Sequence, residues 1–334
     1  MAERMQAESR EDTGVTGRGL PSRAIVALLL SSLAYLTLVH LLIGLRIEHV
    51  VLVFAWLFGL FVHPASRRVM AALTVFLVFG ILYDAMKAWP NHLVGDVDIQ
   101  GIYQLEKQLF GIDTAAGRLT PNEFFLRHNT PALDMVTGLI YLNWVSIPML
   151  FALWLLRVDR RFYLHFGLVF LFVNILGFIV YYLHPAAPPW YVEQYGFAMR
   201  TDVSGSAAGL ARFDRLVGLE IFQTIYTRNS NVFAAVPSLH SAYPVIVFYY
   251  ALRRTRSPGA KLFFALFMIG IWFTAVYSNH HYVIDVVIGA ALAVTGIALY
   301  HALLLKVPVL ERSLSRYERL ITASTQSPSH SSNG

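Results

Sequence analysis

Long apolar runs separated by short basic loops set the pattern of this chain. Six runs are long enough to cross a bilayer as helices: residues 24–45, 69–87, 133–156, 162–183, 261–277 and 282–305. A spanning helix needs roughly 20 apolar residues, within a range of about 17 to 25. Two further runs, residues 49–62 and 241–252, are shorter, and the second reaches span length only if Pro237-Ser238-Leu239-His240 opens its helix. The pattern predicts an all-α fold, a polytopic membrane helix bundle of about eight spans, with six as the lower bound.

The basic residues decide between six and eight. With eight spans and the N-terminus inside, the cytoplasmic segments are residues 1–23, 63–68, 157–161, 253–261 and 306–334, and they hold 17 of the 26 Lys and Arg. Arg67-Arg68, Arg157 with Arg160-Arg161, and Arg253-Arg254 with Arg256 then fall on one side, as the positive-inside rule expects. Both short runs are needed to keep them together. The predicted organisation is a disordered cytoplasmic tail over 1–23, a membrane domain over 24–305 with a catalytic core at about 133–305, and a cytoplasmic C-terminal tail over 306–334. Two long polar segments, 88–132 and 184–236, face outward. The first holds an amphipathic stretch, 99–110, with the near-helical spacing of an interfacial helix.

Composition narrows the class. Only 14% of the 334 residues are charged and 56% are hydrophobic, against about 25% charged in an average soluble chain. The net charge of +6 sits in loops between apolar runs, so it points to membrane topology and not to nucleic acid. The absence of cysteine excludes disulfides, thiol nucleophiles and cysteine metal ligands. The first apolar run exceeds the core of a secretory signal and is expected to be retained as a span.

The chemistry gathers at span ends. Ionisable groups at membrane depth are costly and mark function or pairing. His281 and Asp285 stand four apart at the opening of the last span, close enough on a helix for the carboxylate to orient the imidazole and leave its other nitrogen as nucleophile or base. His240 follows Pro237-Ser238-Leu239 at the start of the sixth span, and Ser238 is a natural helix cap. Both helices run inward, so both N-termini are expected to present unpaired amides to an anion. Two histidines, one supported by an acid, suit phosphoryl transfer: one attacks phosphorus and the other protonates the leaving oxygen.

Pro237-Ser238-Leu239-His240-Ser241 followed by His281-Tyr282-Val283-Ile284-Asp285 resembles the second and third motifs of the type 2 phosphatidic acid phosphatase superfamily. His184-Pro185-Ala186-Ala187-Pro188-Pro189-Trp190-Tyr191, together with Tyr83-Asp84, Glu106 and Leu109-Phe110-Gly111, resembles its inositol phosphorylceramide synthase (aureobasidin-resistance) branch. The resemblance runs from about residue 83 to 305. It implies that His281 becomes phosphorylated, that Asp285 orients it, that His240 is acid and then base, and that Ser238 helps to hold the phosphate. The superfamily's phosphatases carry Ser-Arg before the histidine, where this chain has Thr274 and Ala275. That departure tilts the expectation toward transfer to an alcohol, with a phospholipid donor, a lipid or alcohol acceptor and no cofactor. Arg200, Arg212, Arg215, Arg228 and Lys87 are the candidate cations for the phosphate.

Other readings stay open. A lipid phosphate phosphatase would use the same groups with water as acceptor. His280, without an acid at i+4, is either a substrate contact or a solvated neighbour. A zinc hydrolase could draw ligands from His240, His280, His281 and Asp285, although adjacent side chains on one helix diverge by about 100°; no metal site is expected. A transporter ranks last for want of paired broken helices. Pro188-Pro189-Trp190-Tyr191 could be an interfacial anchor, and Asp84 and Glu106 could be structural. Donor, acceptor and oligomeric state are not legible.

Overall fold

A computed structural model describes residues 21–227 and 231–322. Residues 1–20 of the expected tail, Arg228, and residues 323–334 lie outside that set. The helices are α1 (Ser22–Leu42), α2 (Ile47–Val62), α3 (Pro64–Ala85), α4 (Gln100–Phe110), α5 (Pro121–Arg127), α6 (Pro131–Leu142), α7 (Ser146–Val158) and α8 (Arg160–Leu183). They continue with α9 (Pro189–Tyr195), α10 (Ala211–Val217), α11 (Ile221–Tyr226), α12 (Leu239–Arg254), α13 (Pro258–Tyr277), α14 (Val283–Ala302) and α15 (Pro308–Thr322). Strands β1 (Ile112–Thr114) and β2 (Gly117–Leu119) form an antiparallel hairpin, which the reading of an all-helical chain did not anticipate. Gly117, at φ 101°, supplies the left-handed backbone that its turn requires.

Among the described residues six stretches are long and apolar enough to cross a membrane: Ser22–Leu42, Pro64–Ala85, Pro131–Val158, Arg160–Leu183, Pro258–Tyr277 and Val283–Lys306. Their outward faces are apolar, with Leu266 and Val294 more than half exposed, as lipid demands. The chain is a polytopic membrane helix bundle. The two short runs are both helical, α2 and α12, each 16 residues long. The expected fourth span, 133–156, is one crossing in two pieces. Pro148 has no N–H to give the carbonyl of Trp144 and would clash with it, and the helix breaks between Leu142 and Ser146.

Contacts divide the chain into two compact units, Met1–Leu77 with Pro308–Gly334, and Val78–Val307. In the first, α1 and α2 pack together. Ser66 Oγ donates to Gly59 O (2.7 Å) and Arg67 Nε to Leu60 O (3.1 Å), closing the turn after α2. Tyr317 of α15 donates its hydroxyl to Ala71 O.

In the second unit α12 is the central helix, packed on α8, α13 and α14. Polar groups join these helices where hydrocarbon alone gives little preference between partners. The Tyr243 hydroxyl donates to Asn174 Oδ1 (2.7 Å), and the Trp272 indole donates to Ser241 O (3.0 Å). The start of α12 lies directly against α14. A Cβ on Gly289 would lie 2.1 Å from Ser238 O, so only glycine permits these two main chains to touch.

Candidate active site

His240 enters the site on the first turn of α12. Ser238 is the N-cap: its Oγ accepts from Ser241 N (3.3 Å), and its own N–H donates to Asp285 O (3.0 Å). The second link pins the start of α12 to the first turn of α14. The Ser238 side chain is fully buried. The resemblance implied a phosphate contact for Ser238; the structure uses its hydroxyl as a cap, and what that fixes is the position of His240.

His281 arrives from the turn that joins α13 to α14. It precedes the helix, whose N-cap is Tyr282, yet its Nδ1 still reaches Asp285 Oδ2 at 3.4 Å. The same Oδ2 accepts from Tyr282 N (2.9 Å), so Asp285 also caps its own helix. The other ring nitrogen, Nε2, lies 3.1 Å from His240 Nδ1. The result is a relay, Asp285–His281–His240, with the first two buried and His240 half-buried, joining residues 41 apart in sequence. A proton on Nδ1 facing the carboxylate leaves the Nε2 lone pair for chemistry. Burial pushes the His281 imidazole down, to about 4, so it is neutral near pH 7.

Both outer segments build the turn that carries His281. From the first, Asn122 Nδ2 donates to Val276 O and His281 O, each at 2.9 Å. Glu106 is buried, and its two oxygens accept from Val283 N (2.9 Å) and Ile284 N (3.1 Å). From the second, Trp190 N donates to Asn279 O (3.1 Å) and Gly209 N to Ser278 O (2.8 Å), while Glu193 accepts from the Asn279 amide. Trp190 and Tyr191 are buried, so the proline-aromatic segment is scaffold for this turn and not an anchor at the lipid surface.

These contacts correct one expectation. The amides opening α14 are not presented to an anion, because Tyr282 N, Val283 N and Ile284 N are taken by Asp285 and Glu106. The sequence marks Glu106 only ambiguously and Asn122 not at all; neither carries a local signal, since each acts on a segment more than 150 residues away. Burial pushes the Glu106 carboxyl up to about 7, against the two amides that favour its charge.

The relay opens on a cavity of about 360 Å³ walled by Tyr83, Trp144, Tyr181, Trp190, Tyr226 and Tyr243 beside the histidines. The break between α6 and α7 delivers Trp144, whose ring centroid is 4.3 Å from that of His240. His280 is part of the wall and not a solvated neighbour. Its ring stacks on Tyr226 and Tyr141, at 4.2 and 5.8 Å, and Nε2 lies 3.1 Å from Ala207 O.

No lysine or arginine among the described residues lines the cavity. Of the candidate cations, Arg212 donates Nε to Asp134 Oδ1 (2.7 Å) and lies over the Tyr277 ring at 5.1 Å. Lys87 is 3.8 Å from Asp84, Arg200 covers Tyr195, and Arg215 is exposed.

A phosphoinositol dihydroceramide synthase of Bacteroides thetaiotaomicron is 44% identical over 288 residues, which cover 86% of this chain and 94% of that protein. The inositol phosphorylceramide synthase catalytic subunit AUR1 of Saccharomyces cerevisiae is 27% identical over 253 residues, 73% of this chain and 59% of that one. The corresponding subunit of Schizosaccharomyces pombe is 25% identical over 235 residues, 69% of this chain and 53% of that one. No solved structure matches significantly. The pattern of the PAP2 superfamily matches residues 102–299, a stretch that contains the whole relay and both of its outer supports. With that match and a relative so similar along nearly its full length, the chain belongs to the PAP2 superfamily, in its inositol phosphorylceramide synthase-like branch.

Proposed function

We propose that this chain is a membrane lipid phosphotransferase that moves a phosphoinositol-type headgroup from a glycerophospholipid to the hydroxyl of a ceramide-type acceptor. The observation that carries this reading is the relay itself: His240, His281 and Asp285 linked at 3.1 and 3.4 Å at the wall of an aromatic cavity. His281 Nε2 attacks phosphorus, forming an N–P bond as the P–O bond to the diacylglycerol breaks. His240 gives that oxygen its proton. In the second half His240 removes the proton of the acceptor hydroxyl, whose oxygen attacks phosphorus and releases His281. Asp285 holds the imidazole and stabilises the charge it gains. Ser238 acts by seating His240, and His280 by walling the headgroup cavity.

Among the described residues the wall holds no lysine or arginine, which favours transfer over monoester hydrolysis. A phosphodiester donor brings one negative charge, while a phosphate monoester brings about 1.5 to 2. A wall whose described residues include no arginine or lysine suits the first. The positive loops support cytoplasmic N- and C-termini, with the relay on the extracytoplasmic side of a cell membrane.

The test uses purified full-length protein in lipid with phosphatidylinositol, with and without ceramide or diacylglycerol, and products identified by mass spectrometry. A new inositol-phosphate-bearing lipid that needs the acceptor and disappears in His281→Ala supports the proposal. Release of inositol phosphate or free phosphate alone moves the chain to the hydrolases.

A further inference from the structure

At the end of the bundle remote from the relay, α8, α12 and α14 enclose a second cavity, of about 160 Å³. Arg161, His165, Tyr249, Arg253 and His301 line it. It adjoins an apolar groove of about 380 Å³ between α12 and α14, walled by Val245, Phe248, Leu252, Val294, Ile297 and Ala298. Tyr249 and His301 belong to both. On α12 this place is thirteen residues from His240, about 20 Å along the helix.

Among the described residues no acid is paired with Arg161 or Arg253. Asp159, the acid next to this end of α8, is held by Arg254 at 3.1 Å and caps α8 through Phe162 N. Arg161 has no ion pair among the described residues, and Arg253 only lies over the Tyr249 ring, at 4.5 Å. The histidines are turned to tyrosines: His165 Nδ1 is 2.9 Å from the Tyr300 hydroxyl, and His301 Nε2 is 3.4 Å from that of Tyr250. Two exposed guanidinium groups thus stand at a small cavity that adjoins a groove with no polar wall except Tyr249 and His301.

A cation at the edge of hydrocarbon seeks a counter-charge, and guanidinium groups bind phosphate oxygens in forked pairs. We infer that this end of the bundle binds an anionic phospholipid, its headgroup phosphate between Arg161 and Arg253 and an acyl chain in the groove between α12 and α14. The groove commits the site to a lipid and not to free phosphate. Two neighbouring cations also disfavour choline or ethanolamine headgroups, whose positive end would meet them. The site is separate from the reaction and does not depend on its assignment.

The experiment follows the thermal unfolding midpoint of full-length protein in neutral detergent micelles doped with phosphatidylglycerol or phosphatidylcholine. A ligand that binds only the folded state raises the midpoint. Phosphatidylglycerol is expected to raise it by several degrees and phosphatidylcholine to leave it nearly unchanged. The gain should vanish in R161Q/R253Q and persist in R157Q/R256Q, which removes two positive charges near the same end but outside the cavity. Val294→Trp, which fills the groove and keeps both arginines, should abolish it too and stands in if R161Q/R253Q does not fold. An equal gain in R161Q/R253Q, an equal gain from phosphatidylcholine or from soluble glycerol phosphate, or no gain in the native protein overturns the proposal.

Discussion

His240 Nδ1 and His281 Nε2 are 3.1 Å apart, too close for a phosphorus atom to stand between them. Attack needs phosphorus about 3 to 3.5 Å from Nε2, with the leaving oxygen beyond it and a further hydrogen bond of about 2.6 to 3.2 Å to the acid. The two rings touch at rest and have to part as substrate enters. With radiolabelled donor and no acceptor, native protein is therefore expected to accumulate label on His281. His240→Ala should slow labelling by about 10² to 10⁴, the usual worth of a general acid, and His281→Ala should show none. Label retained in His281→Ala would remove it as nucleophile.

Asp285 serves the imidazole and the helix with one oxygen, Oδ2. Asp285→Asn keeps an acceptor for one of these and loses the charge that fixes the tautomer. Its expected signature is a fall in kcat of about 10² to 10⁴ with a thermal midpoint within a few degrees of native. A variant that unfolds instead would make Asp285 chiefly structural.

Glu106 gives a pH test with a definite sign. Its folded pKa, about 7, lies above the ordinary value of 4.5, so the native state holds the proton more tightly than the unfolded chain. Its contribution to stability is full below about 4.5 and is lost as pH rises through 7. His281 works in the opposite sense: depressed to about 4, it favours the native state above about 6.5 and less as pH falls. The measurement is therefore the difference in midpoint between Glu106→Gln and native protein across pH 4.5 to 7.5. Glu106→Gln should gain on the native protein as pH rises toward 7. A flat difference would show that Glu106 does not change charge in this range.

The spans, their approximate ends and the three relay residues were legible because each leaves a local mark: an apolar run, a basic loop, a pair four residues apart. The same rules could not foresee the break at 143–145, although Pro148 was in plain view, because proline inside an apolar run can kink or interrupt a span. They failed most where polar groups act at a distance. Glu106 and Asn122 grip the start of α14 from the first outer segment. Arg212, a candidate phosphate ligand by sequence, is committed to Asp134. Partners of that kind follow only from the packed chain.

That commitment can be measured. Asp134 accepts from both Arg212 and the Tyr277 hydroxyl at 2.7 Å, and the pair is largely buried. Removing one member of such a pair costs about 3 to 5 kcal/mol, while replacing both by apolar residues costs far less. Asp134→Ala and Arg212→Ala should each unfold well below the native midpoint, and Asp134→Leu with Arg212→Met should recover much of the loss. If Arg212→Ala keeps native stability but loses substrate affinity, Arg212 is a phosphate ligand after all.

The lack of cysteine makes topology direct to test. Gln108 and Arg256 are exposed, one in the first outer segment and the other between α12 and α13. In intact cells Gln108→Cys should react with a membrane-impermeant maleimide and Arg256→Cys only after permeabilisation. The reverse pattern would invert the orientation.

Gly289 is not one of the relay residues, yet its backbone contact bears on how far apart the two histidines stand. Because it carries no side chain, the carbonyl of Ser238 rests directly on α14, beside the amide link from Ser238 to Asp285. The gap between His240 and His281 is thus bounded by two main chains in contact, which have no rotamers to relax into. An enzyme gauged in this way keeps its spacing while the surrounding lipid changes thickness or composition, and it forfeits the option of adjusting that spacing by small steps. Drift at position 289 has no intermediate: the smallest enlargement is a whole methyl group, lodged where the segments that carry His240 and His281 meet.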